Sequence, residues 1–412
     1  MMPHEMNTGR PSRHTDRRAG RRKNRRKDRH MDRREYRTVR MAMDSRYRNL
    51  LLVSILPVML AAKLMVAYLL PPKYFYDNNR ILGMANGDAR TEAWGGSYEV
   101  AAGLFRSVNV LGLTGMVEWS LLLGVPLTFV TLALVLRADA PDTLQLLFTL
   151  ASVGLLNIYI FTIGKDVIQF MFFLAVYLVI AMPFGGPTLK IVLAAAILMG
   201  ESRVFRPYYV LIAVLVIAVY VTLTLFRSRR ALHAGSVAMI IVLMVAEIWL
   251  ILAVASRVMP AEYQQVMTLR SGYGSVMEGN ADSSTFIANR VSGEGLPTFM
   301  LNYVINAVRM MVPVELAMRG AYYLPFFVFQ TMVTVYLVNL LRQINRINDP
   351  ALTLALCVFL GYALASFIFE PDFGSWTRHE AATFPILHLL VLNHFQRIPL
   401  TAEERMLKRG VA

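Results

Sequence analysis

Apolar stretches recur along almost all of the chain beyond residue 48, each closed by a short polar or charged turn. A run of roughly 17–25 apolar residues matches a bilayer's hydrocarbon core, because a helix rises about 1.5 Å per residue across roughly 30 Å. Inside that core each backbone polar group must bond within its own segment, so such runs fold as helices. The pattern predicts an all-α, polytopic transmembrane helix bundle of about ten spans. They fall near residues 49–70, 117–136, 143–163, 167–183, 188–200, 207–226, 234–258, 321–341, 351–369 and 381–395. The run at 188–200 is short and reads as a tilted or partly re-entrant segment.

The composition agrees. At 56% apolar and 17% charged, the chain is too hydrophobic for an ordinary soluble domain. Its formal charge of +15 is concentrated at one end: residues 1–48 carry 17 Lys/Arg against 6 Asp/Glu, leaving only +4 for the rest. This predicts a disordered basic tail over 1–48, read as a topology signal with loose attraction to anionic membrane lipid. No aromatic or helical nucleic-acid motif accompanies the charge, so no nucleic-acid partner is expected. Arg227, Arg229 and Arg230, then Arg342 and Arg346, then Arg397, Arg405, Lys408 and Arg409 fall in turns on the same side as that tail. The positive-inside rule makes that side cytoplasmic. The expected layout is a transmembrane domain over 49–396, outer regions near 71–116 and 259–320, and a cytoplasmic tail over 397–412. Both termini are expected on the cytoplasmic side of a plasma (inner) membrane.

The first apolar run has no small-residue cleavage site after it and reads as an anchor. Cys357 is the only cysteine, so no intrachain disulfide forms. Walker A, His-Glu-x-x-His and Gly-x-Ser-x-Gly patterns are absent. ATP hydrolysis, zinc proteolysis and serine hydrolysis therefore have no support, and no metal ligand set is expected.

Charge beside a membrane is costly, and here it clusters in the turns on the outer side. Around Glu201, Arg203 and Arg206, two arginines three residues apart fit one helical face, and a guanidinium fork suits phosphate. The turn from Glu370 to Glu380 carries Glu370, Asp372, Trp376, Arg378 and His379. Tryptophan with carboxylates suits a sugar, and His379 suits a general base. Arg378 beside it is expected to lower its pKa and keep it neutral. Glu370, Asp372 and Asp166 are the alternative bases. Lys165 and Asp166 open a span after Gly164, which fits a helix-start acid and an interfacial lysine as well as it fits a site. Asn302 to Glu315 reads as an amphipathic helix, lying on the outer leaflet or closing a cavity, whose Arg309 would be a further phosphate ligand on an inward face; the membrane-surface helix is the preferred reading. Asp77, Asp88, Glu92 and Glu99 are weaker candidates. Lys63, inside the first span, calls for an internal partner or snorkelling.

These clusters resemble bacterial exopolysaccharide or O-antigen polymerases of the Wzy/EpsG type. The carrying residues are Gly164-Lys165-Asp166; Arg203 and Arg206 followed by Pro207, Tyr208 and Tyr209; Arg309 through Glu315; and Glu370 through His379. The resemblance covers most of the chain after residue 49, excluding the basic tail. It implies a GT-C-like membrane glycosyltransferase that needs no metal or other cofactor. Such an enzyme joins polyprenyl-pyrophosphate-linked oligosaccharide repeat units on the outer face, alongside other polysaccharide-assembly proteins. Arginines would neutralise the leaving pyrophosphate, and a histidine or carboxylate would deprotonate the acceptor. Two other readings stay open. A flippase for lipid-linked sugars needs polar groups along the spans, and an O-acyltransferase needs a deep histidine, for which His388 and His394 are the candidates.

Overall fold

The structure, a computed structural model, describes residue 41 and residues 44–93, 95–227, 232–277 and 285–397. Most of the predicted basic tail lies outside the described residues. So do Arg229, Arg230, the stretch 278–284 and the C-terminal tail beyond Arg397.

Among the described residues the chain is helical. Helix α1 (Asp44–Leu69) leads through a short pair, α2 (Tyr76–Ala85) and α3 (Gly96–Val108), to α4 (Met116–Arg137). Then follow α5 (Thr143–Ile160), α6 (Lys165–Ala181), α7 (Pro187–Val204), α8 (Tyr209–Leu225) and α9 (Ala234–Val258). After α10 (Pro260–Met277) come α11 (Leu296–Met311) and α12 (Val314–Met318). The chain closes with α13 (Leu324–Gln343), α14 (Pro350–Phe369), α15 (Phe373–Ala382) and α16 (Phe384–Val391).

By length and composition, six of these helices can cross a membrane: α1, α4, α5, α9, α13 and α14. They match the predicted first, second, third, seventh, eighth and ninth spans. Helices α6, α7 and α8 occupy the predicted fourth, fifth and sixth, and α8 is a shorter apolar helix of 17 residues. The predicted span at 381–395 differs most. Its helix, α16, has only 8 residues, because the chain breaks at Thr383 just before Pro385. Proline has no N–H to donate, and its ring clashes with the preceding turn of a helix. Pro313 likewise divides the predicted amphipathic helix into α11 and α12.

Local chemistry sets several helix starts. Asp142 caps α5 and exchanges bonds with Gln145, a reciprocal capping box. Asp349 accepts from Ala351 N–H at 2.9 Å ahead of Pro350 at the first turn of α14. Helix α14 is the hub of the bundle: 83% of its apolar window is buried, against 28% for α1 and α9. It packs most extensively against α8, and also against α16, α11 and α6. Gly361 makes the α8 contact possible, since a Cβ there would lie 2.8 Å from the backbone nitrogen of Val216. The exposed faces of α1, α4 and α9 are lined with leucine and valine, as a lipid-facing surface requires. Helices α2 and α3 have their own small core, in which Ile81, Tyr98 and Phe105 meet Trp119, Ile163 and Phe205.

Side-chain and backbone bonds gather the turns at each end of the bundle. At one end Arg397 reaches Asp44 and the Ala140 carbonyl, Arg227 reaches the Ile347 carbonyl, and Leu232 N–H reaches the Arg342 carbonyl. The opposite end gathers the start of α2, the α5–α6 turn, the α7–α8 turn and the α14–α15 turn. Within the spans, Lys63 does find an internal partner set. Its ammonium donates to Ser120 Oγ at 2.8 Å and to the carbonyls of Asn157 and Phe161 at 2.8 and 3.1 Å. These carbonyls lie at the π-helical turn that ends α5, where the ordinary i→i−4 ladder is interrupted.

Candidate functional site

Asp166, in the first turn of α6, is the centre of a buried cluster. Gly164 lies just before it and accommodates the close approach of α2: a Cβ there would sit 2.4 Å from Asn78 Nδ2, which donates to the Ile163 carbonyl at 2.7 Å. Asp166 Oδ1 receives Arg206 Nη2 at 3.2 Å and lies 3.2 Å from His379 Nε2, while Oδ2 forms an ion pair with Arg378, 2.9 Å from its Nε, without a hydrogen bond from that nitrogen. The other His379 nitrogen, Nδ1, lies 2.7 Å from Glu370 Oε1. Gln169, one helical turn along from Asp166, ties the parts together. Its Oε1 accepts from Arg206 Nη1 at 2.7 Å and its Nε2 donates to the His379 carbonyl at 3.1 Å. Arg206 Nη1 also donates to Tyr208 Oη at 3.1 Å. On the outer edge of the cluster, Asp77 Oδ2 bridges Arg378 Nη2 at 3.1 Å and Lys165 Nζ at 3.2 Å. Tyr98 donates to Asp77 Oδ1 at 2.7 Å, and Lys165 lies 3.9 Å above the Tyr98 ring.

Three permanent or near-permanent cations, Lys165, Arg206 and Arg378, thus face three carboxylates, Asp77, Asp166 and Glu370. Burial alone would raise the Asp77 pKa, but Arg378 and Lys165 overcome it and hold the carboxyl well below the usual range. For His379, burial pulls the pKa down while Glu370 and Asp166 push it up, and the net direction is up. The expectation that Arg378 keeps the ring neutral is therefore corrected: the two flanking carboxylates decide the sign. Next to it, burial pushes Glu380 up to about 8, with Gln330 Nε2 at 3.2 Å as its polar contact.

The candidates from sequence divide clearly. Asp166, Lys165, Arg206, Glu370, Arg378 and His379 come together. Arg203 does not, because α7 ends at Val204 between the two arginines: Arg203 remains on the exposed side of the helix while Arg206 turns inward. Glu201 is fully buried close to Arg206, with no hydrogen-bond partner for either carboxylate oxygen. Arg309 belongs to a separate group, paired with Glu315 at 2.7 Å and bonded to Asn306 and the Ala288 carbonyl. Asp372 caps α15, accepting from Ser375 N–H at 2.8 Å and from Thr285 Oγ1 at 3.2 Å. Trp376 is packed in the core against Tyr362 and Phe367, with no face open to a sugar.

Sequence reasoning did not single out Gln169 or Tyr98, gave Tyr208 no role of its own, and held Asp77 only as a weak candidate. A lone glutamine three residues after Asp166 in an otherwise apolar helix was the available signal for Gln169. Nothing local marks Asp77, whose role comes from a contact spanning 301 positions. Among the described residues no group of three or more His, Cys, Asp or Glu side chains is arranged to hold a metal ion. What the cluster offers chemically is a dry set of guanidinium donors beside an imidazole whose two nitrogens both face carboxylates. That is the equipment to take up negative charge and a proton in one place. No family model, no curated protein and no solved structure matches this chain.

Proposed function

We propose that this protein is a membrane polysaccharide polymerase. It would join polyprenyl-pyrophosphate-linked oligosaccharide units into exopolysaccharide at the outer face of the plasma membrane. The observation that carries this reading is the cluster around Asp166, where Arg206 and Arg378 stand within bonding distance of the same carboxylate as His379. As the bond between the anomeric carbon and the pyrophosphate oxygen breaks, negative charge grows on the leaving group. Arg206, Arg378 and Lys165 are the groups to receive it. The acceptor hydroxyl oxygen forms the new glycosidic bond and gives its proton to Nε2 of neutral His379. Asp166 then stabilises the imidazolium, and Glu370 at Nδ1 fixes the ring's orientation.

The layout supports the outward-facing site. Arg137, Arg227, Arg342 and Arg397 belong to turns at the opposite end of the bundle, which the positive-inside rule assigns to the cytoplasm. With α6, α7 and α8 counted beside the six long apolar helices, and with the short α15 and α16 together bringing the chain back against α14 and α6, the threading we propose is a GT-C-like bundle of about ten crossings. The mid-span polar group at Lys63 is tied up by Ser120 and backbone carbonyls. This favours chemistry at one face over a path through the bundle, as a flippase needs. His388, which an acyltransferase would use, is enclosed by Tyr177 and Phe384.

The test is reconstitution of the purified protein in vesicles with a polyprenyl-pyrophosphate-linked oligosaccharide. A ladder of glycans lengthening by whole repeat units is the expected product. Translocation of the lipid-linked sugar with no ladder would replace this reading by the flippase, and sugar acylation with no ladder by the acyltransferase.

A further inference from the structure

With His379 neutral, as its role as the base requires, the cluster's buried cations and carboxylates are equal in number without a ligand. Lys165, Arg206 and Arg378 are matched by Asp77, Asp166 and Glu370. A pyrophosphate entering unchanged would add further negative charge to a buried site. Buried charge without a partner is strongly unfavourable, so one resident carboxylate must give way.

The geometry singles out which. Asp166 is bound by Arg206, Arg378 and His379, opens a helix packed in the main core, and its side chain is 5% exposed. Glu370 is held at 2.7 Å by His379, and its side chain is 4% exposed. Asp77 lies at the edge, 20% exposed, on a helix that packs in the separate core of α2 and α3. It is also the carboxylate whose Oδ2 joins Lys165 to Arg378, in the position a bridging phosphate oxygen would take.

Resting on the pyrophosphate reading above, we propose that Asp77 is a built-in stand-in for the ligand. It occupies the seat between Lys165 and Arg378 in the resting protein and is exchanged for a pyrophosphate oxygen when the lipid-linked substrate binds. The exchange trades one anion for another across the same donors, so both cations stay paired throughout. Tyr98 sets how firmly the seat is held, because its hydroxyl donates to the Asp77 oxygen that neither cation takes. Asp77 thereby excludes weak anions such as chloride or phosphate, while a pyrophosphate that spans both cations wins the seat.

The experiment measures binding of inorganic pyrophosphate, in the presence of a metal chelator, to the full-length protein in nanodiscs. Asp77→Asn keeps the shape and removes the competing charge, and is expected to bind about tenfold more tightly than wild type. Arg378→Ala should abolish binding. Tyr98→Phe keeps the ring under Lys165 and should tighten binding by a smaller factor, which provides a second variant if Asp77→Asn does not fold. If wild type binds through Arg378 but neither variant binds more tightly, the exchange is wrong and the pyrophosphate site stands. If no protein binds pyrophosphate, the pyrophosphate reading falls and the exchange with it.

Discussion

His379 has a carboxylate at each ring nitrogen, and that arrangement fixes its pH behaviour. Its folded pKa lies above the ordinary value of about 6.5. Protonation is thus favoured by folding. The stability it contributes is complete below the unfolded pKa and is lost as pH rises through the higher, folded one. Activity runs the other way, since a general base must be neutral. The acid limb of polymer formation should therefore lie above pH 6.5 in wild type. It should move to lower pH in Glu370→Gln, where one of the two raising carboxylates is gone. His379→Gln should lose activity with no acid limb left to shift, and full activity in that variant would remove His379 from the mechanism. At this scale the sequence revealed residue types well. Arginine, histidine and acid in polar turns between apolar runs marked most of the cluster. It could not show which way each side chain points. Arg203 and Arg206 differ only in which side of the α7 terminus they occupy, and Asp77 owes its role to a contact closed by folding.

Helix α15 carries both Arg378 and His379, so whatever fixes its first turn fixes the site. Asp372 does this by capping the helix and by accepting from Thr285, whose carbonyl also receives Phe373 N–H at 3.0 Å. The Ile287 N–H completes the join to the Pro371 carbonyl at 3.0 Å. Asp372→Ala should cost about 0.5–2 kcal/mol in thermal or denaturant unfolding, the usual range for losing a cap, while Asp372→Asn should cost much less. An unchanged stability in Asp372→Ala would show that the cap does not hold α15. Six long helices were legible as apolar runs. The break at Thr383 was less so. Pro385 sits inside a run that is apolar throughout, and hydrophobicity alone cannot distinguish one continuous helix from two short ones.

For the whole molecule, the decisive property is that the cluster and the basic turns lie at opposite ends of the bundle. Labelling from outside intact cells, in a Cys357→Ala background, should modify Ser107→Cys and spare Asn348→Cys. The reverse result would invert the proposed orientation. Hydropathy and turn charge made this end-to-end sorting legible before any coordinates, because lipid permits few arrangements of such a chain. The convergence of the α5–α6, α7–α8 and α14–α15 turns was not legible, since it depends on which helices pack on α14. The central claim is that this convergence is a pyrophosphate-binding polymerase site. The most direct measurement is the initial rate of glycan-ladder formation in vesicles for wild type, Arg378→Lys and Arg203→Ala at matched protein levels. The expected result is a wild-type rate for Arg203→Ala and at least about a tenfold loss for Arg378→Lys, whose ammonium cannot reproduce the planar fork. A wild-type rate in Arg378→Lys, or no ladder from the wild-type protein, would contradict it.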